Sequence, residues 1–314
     1  MNKFARIIGT GSYLPPMVVT NDDLSKTIDT SDEWITSRTG IKERRRVTDE
    51  STCDLAVIAA NNALDMAGIA PSELDLIILA TTTPDKIFPA TATMLQNAIG
   101  ANCPAFDLQS VCAGFVFALT TAEQYIKTGA ANKVLVVGSE TLSRIVDWND
   151  RATAILFGDG AGAVVLSGSE ETGILHSKLF SDGSYLSSLQ VNNTRINETG
   201  FIEMAGNEVF KIAVSRLSSL AQDTLAACNM TAEELDWMVP HQANIRIISA
   251  VAKRINTPMD KVIVTLDKHG NTSAASIPLA LDIAVRDGRI QKGQSLLLEG
   301  IGGGFSWGSI LAKF

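Results

Sequence analysis

Two segments of this chain repeat at one common separation, which limits the folds open to it. Residues 63–79, ALDMAGIAPSELDLIIL, resemble residues 224–240, TLAACNMTAEELDWMVP, with Asp75 against Asp236. VLVVGSE beginning at Val134 resembles SLLLEGI beginning at Ser295, and both pairs lie 161 positions apart. One such match between helix–strand units arises by chance, but two at the same separation indicate a duplicated half. Within each copy, short apolar runs alternate with longer Ala-rich stretches of helical period. LDLIILATT, KVLVVGSE, DWMVP, KVIVTL and SLLLEGI read as buried strands. DLAVIAANNALDMAG, CAGFVFALTTAEQYIKTG and IRIISAVAKRI read as helices. Continuous apolar strands flanked by helices imply an α/β fold whose sheets are covered on both faces. The expected division is an N-terminal half, 1–170, and a C-terminal half, 171–314, with no linker between them. The irregular, polar stretch 168–207 reads as an insertion or cap rather than a hinge.

Composition narrows the function. The chain has 314 residues, 46% of them hydrophobic and only 19% charged, which supports one large core or two linked ones. So low a charge density suggests surface buried elsewhere, as at a subunit interface, or an Ala- and Gly-rich interior. A formal net charge of −8 argues against general nucleic-acid binding. The apolar run in MNKFARIIGTGSYLPP is too short and Gly-broken for a signal peptide. No run approaches the roughly 18 residues that span a membrane. The chain therefore reads as cytoplasmic. Cys53, Cys103, Cys112 and Cys228 form no CxxC pair and no disulfide framework, so free thiols are expected.

The duplication also points to chemistry. A shift of 161 carries Cys112 to Ser273, inside HGNTSAAS, so each half has a strand-to-helix junction at the same place. In PAFDLQSVCAGF a strand runs into a helix near Cys112, where unpaired backbone N–H groups and the helix dipole favour a thiolate. Ala113 and Gly114 leave room beside it. His241 follows the strand DWMVP, at the strand end where α/β proteins build sites. Asn271 opens the partner loop and can donate to a carbonyl or enolate oxygen. Gly302, Gly303 and Gly304 follow a third strand and let backbone N–H groups approach a ligand closely. Taken singly, each has a blander alternative: a buried structural Cys, a satisfied core His, a capping Asn, a tight Gly turn.

Taken together, SVCAGF, VPHQANIRI, LDKHGNTSAAS and GGGFSWGS, with DTSDEWI and FGDGAGAVVL, closely resemble the β-ketoacyl-acyl-carrier-protein synthase III family. These are the initiating condensing enzymes of bacterial type II fatty-acid synthesis, and the resemblance runs essentially end to end. It implies a thiolase-like fold of two pseudo-symmetric α/β halves in a layered α-β-α-β-α arrangement. It implies that Cys112 accepts an acetyl group from acetyl-CoA and that the acetyl-enzyme condenses with decarboxylating malonyl-acyl carrier protein. His241 and Asn271 would hold the developing enolate, and the N–H groups of Cys112 and Gly303 the acyl oxyanion. Coenzyme A would meet Trp34, Thr30, Arg38, Arg151, Asn207 and Asn244, with its adenine between Trp34 and Arg151. The acyl pocket would involve Phe88, reaching in from the partner of a homodimer, and Ile301. The carrier protein would dock on Gln242, Ala243, Asn244, Ile245, Arg246, Lys211 and Lys253, where Arg254 could extend the basic patch. No metal or redox cofactor is implied.

The chain departs from the family at Ile301, where relatives often have Phe, and at Ala152, where they often have Gly. Ile301 leaves the acyl primer open. Alternatives are a related enzyme primed by longer or branched acyl-CoA, or a ketosynthase of secondary metabolism. From other classes come a papain-type Cys-His-Asn hydrolase and a non-catalytic carrier-protein binder. The duplication speaks against the former and the intact Cys-His-Asn set against the latter.

Overall fold

The structure, a computed structural model, describes residues 4–195 and 198–314, and of 193–195 and 198–199 the backbone alone. Among these residues the strands in the first part of the chain are β1 (Phe4–Tyr13), β2 (Met17–Thr20), β3 (Glu43–Arg46), β4 (Leu76–Ala80), β5 (Ala105–Leu108), β6 (Lys133–Glu140) and β7 (Gly160–Ser169). They are followed by β8 (Ile174–Ser181), β9 (Leu189–Arg195), β10 (Glu198–Met204), β11 (Trp237–Pro240), β12 (Ser295–Gly302) and β13 (Ser306–Lys313). One sheet has the order β1-β7-β6-β4-β5, the other β8-β13-β12-β11. In each, two antiparallel pairings precede the parallel pairing, and a parallel bridge from Val262 to Met238 stands where β5 stands in the first sheet. The second sheet is thus a copy of the first with its last strand reduced to one bridge.

Side-chain alternation along the strands sorts residues into layers. Leu76, Ile78, Val134 and Val136 of the first sheet and Leu296, Leu298 and Ile310 of the second face inward. Between them lie the helices Gly114–Lys127 and Ser276–Arg286, contributing Phe115, Leu119, Ile277 and Leu281 to one shared core. The outer face of the first sheet packs on the helix Thr52–Ala67 through Ile77, Leu135, Ala59 and Ala63. That helix starts with a capping box of Ser51 and Asp54 and ends at Gly68, whose φ of 66° glycine tolerates. The outer face of the second sheet packs on the helices Gly206–Ala227 and Ile245–Arg254 through Leu297, Leu311, Leu217 and Ile248. The five layers are the α-β-α-β-α arrangement expected, and both faces of each sheet are buried, which explains the unbroken apolar strands. No helix among the described residues is long and apolar enough to cross a membrane.

Three expectations change. The repeat is not held at 161 throughout. Asp75 accepts the N–H of Lys133, and Asp236 accepts that of Ser295. A Cβ on Gly138 would lie 2.3 Å from the Ala274 carbonyl, and one on Gly300 would lie 3.1 Å from that of Cys112. Val111 and Ser273 share a left-handed φ, 47° and 48°. Each of these later pairs is 162 apart, so the counterpart of Cys112 is Ala274, not Ser273. Apolar residues on a buried strand are interchangeable, so VLVVG and SLLLE can be slid by one without penalty.

The polar stretch 168–207 is only partly an insertion. Ile174–Ser181 is the edge strand of the second sheet, paired with β13, and an edge strand need not be apolar. The remainder carries the β9–β10 hairpin. KVIVTL forms no full strand, because the Thr265 N–H is taken by the Gln242 side chain and the chain turns into the short helix Leu266–His269.

Candidate active site

The ends of β5, β11 and β12 and the turn after His269 meet between the two halves. β5 ends at Leu108, and the chain then turns through Val111–Ala113 before the helix Gly114–Lys127. Val111 sits in the left-handed region, where a β-branched residue costs on the order of 1–3 kcal/mol, so packing must hold it there. Gly302 supplies part of that packing: a Cβ there would lie 2.5 Å from the Cys112 nitrogen and 2.9 Å from the Val111 Cβ. Glycine thus lets β12 close directly onto the nucleophile turn.

Cys112 stands at the junction of two cavities. The larger, about 310 Å³, is lined by Cys112, His241 and Asn271 and runs past Phe305, Asn207 and Asn244 to Trp34 and Arg38. The smaller, about 180 Å³, lies on the other side of Cys112 against Thr82, Leu142, Ile145, Phe157, Leu189 and Ile202. The structure therefore brings Cys112, His241 and Asn271 to one cavity.

His241 directly follows β11, and its backbone N–H donates to the Glu299 carbonyl at 2.8 Å. Its Nδ1 is 2.5 Å from the Ser276 hydroxyl. Burial, and secondarily the neighbouring His269, pushes the imidazole down to about 3, so it is neutral at physiological pH. The Asn271 Oδ1 accepts the Ser273 N–H at 2.9 Å, which leaves the amide NH2 as its other end. The backbone of Asn271 is pinned on both sides, donating to the Leu156 carbonyl at 2.8 Å and accepting from Gly158 at 3.0 Å. The Asn271 NH2 is thus a donor open to a ligand, and the His241 Nε2 is a donor when the ring proton sits there rather than on Nδ1.

Cys112 differs from expectation. The helix proper starts two residues later, at Gly114, and the thiol is buried. Burial pushes it up to about 12; the Ser273 hydroxyl pulls the other way and the Glu140 carboxyl adds to the rise. Desolvation is the largest of these influences and favours the thiol over the thiolate. Its alkylation by iodoacetamide in the free protein, followed on the Cys112 peptide, should accelerate about tenfold per pH unit from pH 7 to 10, because only the thiolate reacts. A plateau reached below pH 8 would contradict a thiol held so high.

Glu140 is buried but satisfied, with Thr82 and Thr83 donating to it. Glu299 is not: burial pushes its carboxyl up to about 8, and neither oxygen has a hydrogen-bond partner. Burial thus favours its neutral form, on the strand beside His241.

At the far end, the guanidinium groups of Arg38 and Arg151 lie 4.8 and 4.9 Å from the Trp34 ring centre. Arg151 is held by the Asp29 carbonyl at 3.0 Å. Arg38, Asn207 and Asn244 line the larger cavity and Thr30 does not. The Asn244 Oδ1 caps the helix Ile245–Arg254 by accepting from Arg246, so its NH2 group is the end left for a ligand. Arg246, beside Phe210 at 5.9 Å, also lines this cavity, while Lys211, Lys253 and Arg254 are exposed nearby on the two outer helices.

Two assignments need correction. Gln242 is fully buried, and its amide bonds Pro240, Ile263 and Thr265, so it cannot touch a docked protein. It ties the His241 strand to the segment leading to Asn271; Ala243, Asn244 and Ile245 are half-buried. Ile301 lines the larger cavity rather than the smaller. Phe88 lines neither cavity of its own chain and is 83% exposed, next to Ile87 at 89%. Leu142, Ile145, Leu189 and Ile202 escape sequence reasoning altogether; they come from three separate segments and share no local pattern. Phe157 lies within FGDGAGAVVL, where nothing marks it on its own.

Two family profiles match the chain: 3-oxoacyl-[acyl-carrier-protein] synthase III over residues 106–183, and the C-terminal part of the same family over residues 225–314. The β-ketoacyl-[acyl-carrier-protein] synthase III of Vesicomyosocius okutanii is 79% identical over 314 residues, covering all of both chains. That of Neisseria meningitidis serogroup B is 57% identical, covering 99% of this chain and 100% of its own. The crystal structure of the 3-oxoacyl-[acyl-carrier-protein] synthase III of Aquifex aeolicus is 48% identical and superposes with a TM-score of 0.96, covering 99% of this chain and 100% of that one.

Proposed function

Because the chain belongs to the β-ketoacyl-[acyl-carrier-protein] synthase III family of condensing acyltransferases, we propose that Cys112 carries the acetyl group of a decarboxylative Claisen condensation between acetyl-CoA and malonyl-acyl carrier protein. The observation that carries this reading is the meeting of Cys112, His241 and Asn271 on one cavity that leads out to Trp34 and Arg38.

In the first half-reaction acetyl-CoA lies along the larger cavity with its base at Trp34 and Arg151. An aromatic ring and a guanidinium offer stacking and cation–π attraction to a purine. The Cys112 sulfur gives up its proton, attacks the thioester carbonyl and forms a new carbon–sulfur bond. The N–H groups of Cys112 and Gly303 hold the oxyanion. The coenzyme A sulfur leaves and takes up a proton. A thiolate exchanging for a thiolate keeps the acyl group activated.

In the second half-reaction malonyl-acyl carrier protein enters by the same cavity. The bond to the carboxylate breaks, CO2 leaves, and its electron pair becomes an enolate on the extender thioester. His241 and Asn271 donate to that enolate oxygen. Both are neutral donors, which suits them to a charge that exists only during reaction. The enolate carbon attacks the acetyl carbonyl, Cys112 is expelled and reprotonated, and acetoacetyl-acyl carrier protein is released. The sequence calls for no metal or redox group. The exposed Arg246, Lys211, Lys253 and Arg254 give an acidic carrier protein a local basic surface on a chain of net charge −8.

The exposed Ile87–Phe88 pair fits a homodimer in which each Phe88 closes the partner's smaller cavity. A cytoplasmic location accords with the reaction. A second reading, priming by a longer or branched acyl-CoA, is favoured only by the volume of the smaller cavity, about 180 Å³ before any partner residue enters. Initial rates with acetyl-, butyryl-, isobutyryl- and octanoyl-CoA and malonyl-acyl carrier protein test both. Acetyl-CoA should be turned over fastest, with acetoacetyl-acyl carrier protein as product. Faster turnover of isobutyryl- or octanoyl-CoA would reassign the primer, and no condensation with any of the four would reject the function.

A further inference from the structure

The tautomer of His241 is decided by one neighbour. The Ser276 Oγ, fully buried at the start of the helix Ser276–Arg286, lies 2.5 Å from the His241 Nδ1 and 3.2 Å from the Gln242 backbone nitrogen. A backbone N–H can only donate, so Oγ accepts from Gln242. Among the described residues no acceptor other than the His241 Nδ1 lies within hydrogen-bonding distance of Oγ. The single hydroxyl proton therefore points at Nδ1. A neutral imidazole has one N–H, and if Nδ1 accepts, Nε2 carries it. In the opposite tautomer the hydroxyl would accept twice and leave its own proton buried without a partner, at about 1–3 kcal/mol.

The duplication isolates this contact from mere packing. With a shift of 162 at the helix starts and 161 from β4 to β11, Ser276 corresponds to Gly114, and His241 to Ala80. In the first half a Cβ on Gly114 would lie 3.2 Å from the Ala80 Cβ. Both halves thus bring the helix start against the strand end, but the first fills the contact with glycine and alanine. Only the second places a hydroxyl and an imidazole there.

We propose that Ser276 is a positioning residue for the decarboxylation step: its hydroxyl donates to Nδ1 of His241 and so keeps the Nε2–H directed at the extender's thioester oxygen. This rests on the role given to His241 above. Ser276 touches no substrate and acts through the imidazole alone.

The test is Ser276→Ala, with two readouts. In protein labelled with 15N-histidine, the unmodified chain should show His241 with an unprotonated Nδ1 and a protonated Nε2, and Ser276→Ala should show a mixture or the reverse. In assays, Ser276→Ala should acetylate Cys112 within about threefold of the normal rate, whereas kcat for condensation with malonyl-acyl carrier protein should fall about 10- to 100-fold, in line with misdirecting one preorganised donor. Acetylation serves as the control for folding, since it uses the same cavity. An unchanged tautomer in Ser276→Ala, unchanged condensation, or equal loss of acetylation and condensation would each overturn the proposal. Failure of the underlying reading would show separately, as normal condensation by His241→Ala.

Discussion

Mixed with acetyl-CoA, the protein will gain one acetyl group, on Cys112, and Cys112→Ser will gain none. The substitution changes one atom in a buried site, so the fold survives and the loss can be assigned to the sulfur. Only Cys112 of the four thiols lines either cavity. Cys53 is buried too, and burial with the carboxylates of Asp85 and Asp54 pushes it up to about 11, but no path leads to it from the cavities. A serine hydroxyl is a far weaker nucleophile toward a thioester at neutral pH, so the acetylation rate should fall on the order of 10³-fold or more. Intact-mass and peptide mass spectrometry decide the matter. An adduct on Cys53, Cys103 or Cys228, or an adduct of the same yield on Cys112→Ser, would remove Cys112 from its role.

His241→Ala and Asn271→Ala should part the two half-reactions. Each should still accept an acetyl group, because the oxyanion donors proposed for that step are backbone groups at Cys112 and Gly303. Each should lose decarboxylation and condensation by about 10²–10³-fold, the usual effect of deleting one preorganised donor to a developing oxyanion. The two losses will not add, because the donors serve one oxygen. Asn271→Ala also removes the acceptor of the Ser273 N–H, and Asn271→Asp separates the effects by keeping that acceptor while removing the donor. CO2 release and acetoacetyl-thioester formation are the readouts. Variants that cannot be acetylated yet condense pre-acetylated enzyme normally would reverse the assigned roles.

Much of the fold is legible in the amino-acid sequence. Asp75 and Asp236 mark one end of the duplication because each ties a strand to its neighbour, a constraint a single residue can carry. The strands beside them cannot fix their own register, since Val, Leu and Ile on a strand buried on both faces are equivalent to the core. That is why the sequence pairs Ser273 with Cys112 when Ala274 is its counterpart. Ile174–Ser181 is hard to read as a strand because an edge strand needs backbone partners more than apolar side chains. The pull of burial on the Cys112 thiol is illegible for a different reason: the dipole that favours a thiolate acts within one turn, whereas burial, which pushes the thiol up, is a property of the whole molecule. Gln242 and Ser276 sit in plain view within motifs, but their bonds to Thr265 and His241 cross from one segment to another, and no local pattern announces them.

The turns at Val111–Ala113 and Ser273–Ala275 share a backbone that most side chains resist, and they have kept it while their chemistry diverged. One copy carries the Cys112 sulfur; the other carries Ala274 in that place, with Asn271 and Ser273 beside it. An ancestor made of two identical halves would have had the same residues at both turns. Two copies within one chain carry no such requirement, so the same strained backbone can present different residues at each turn.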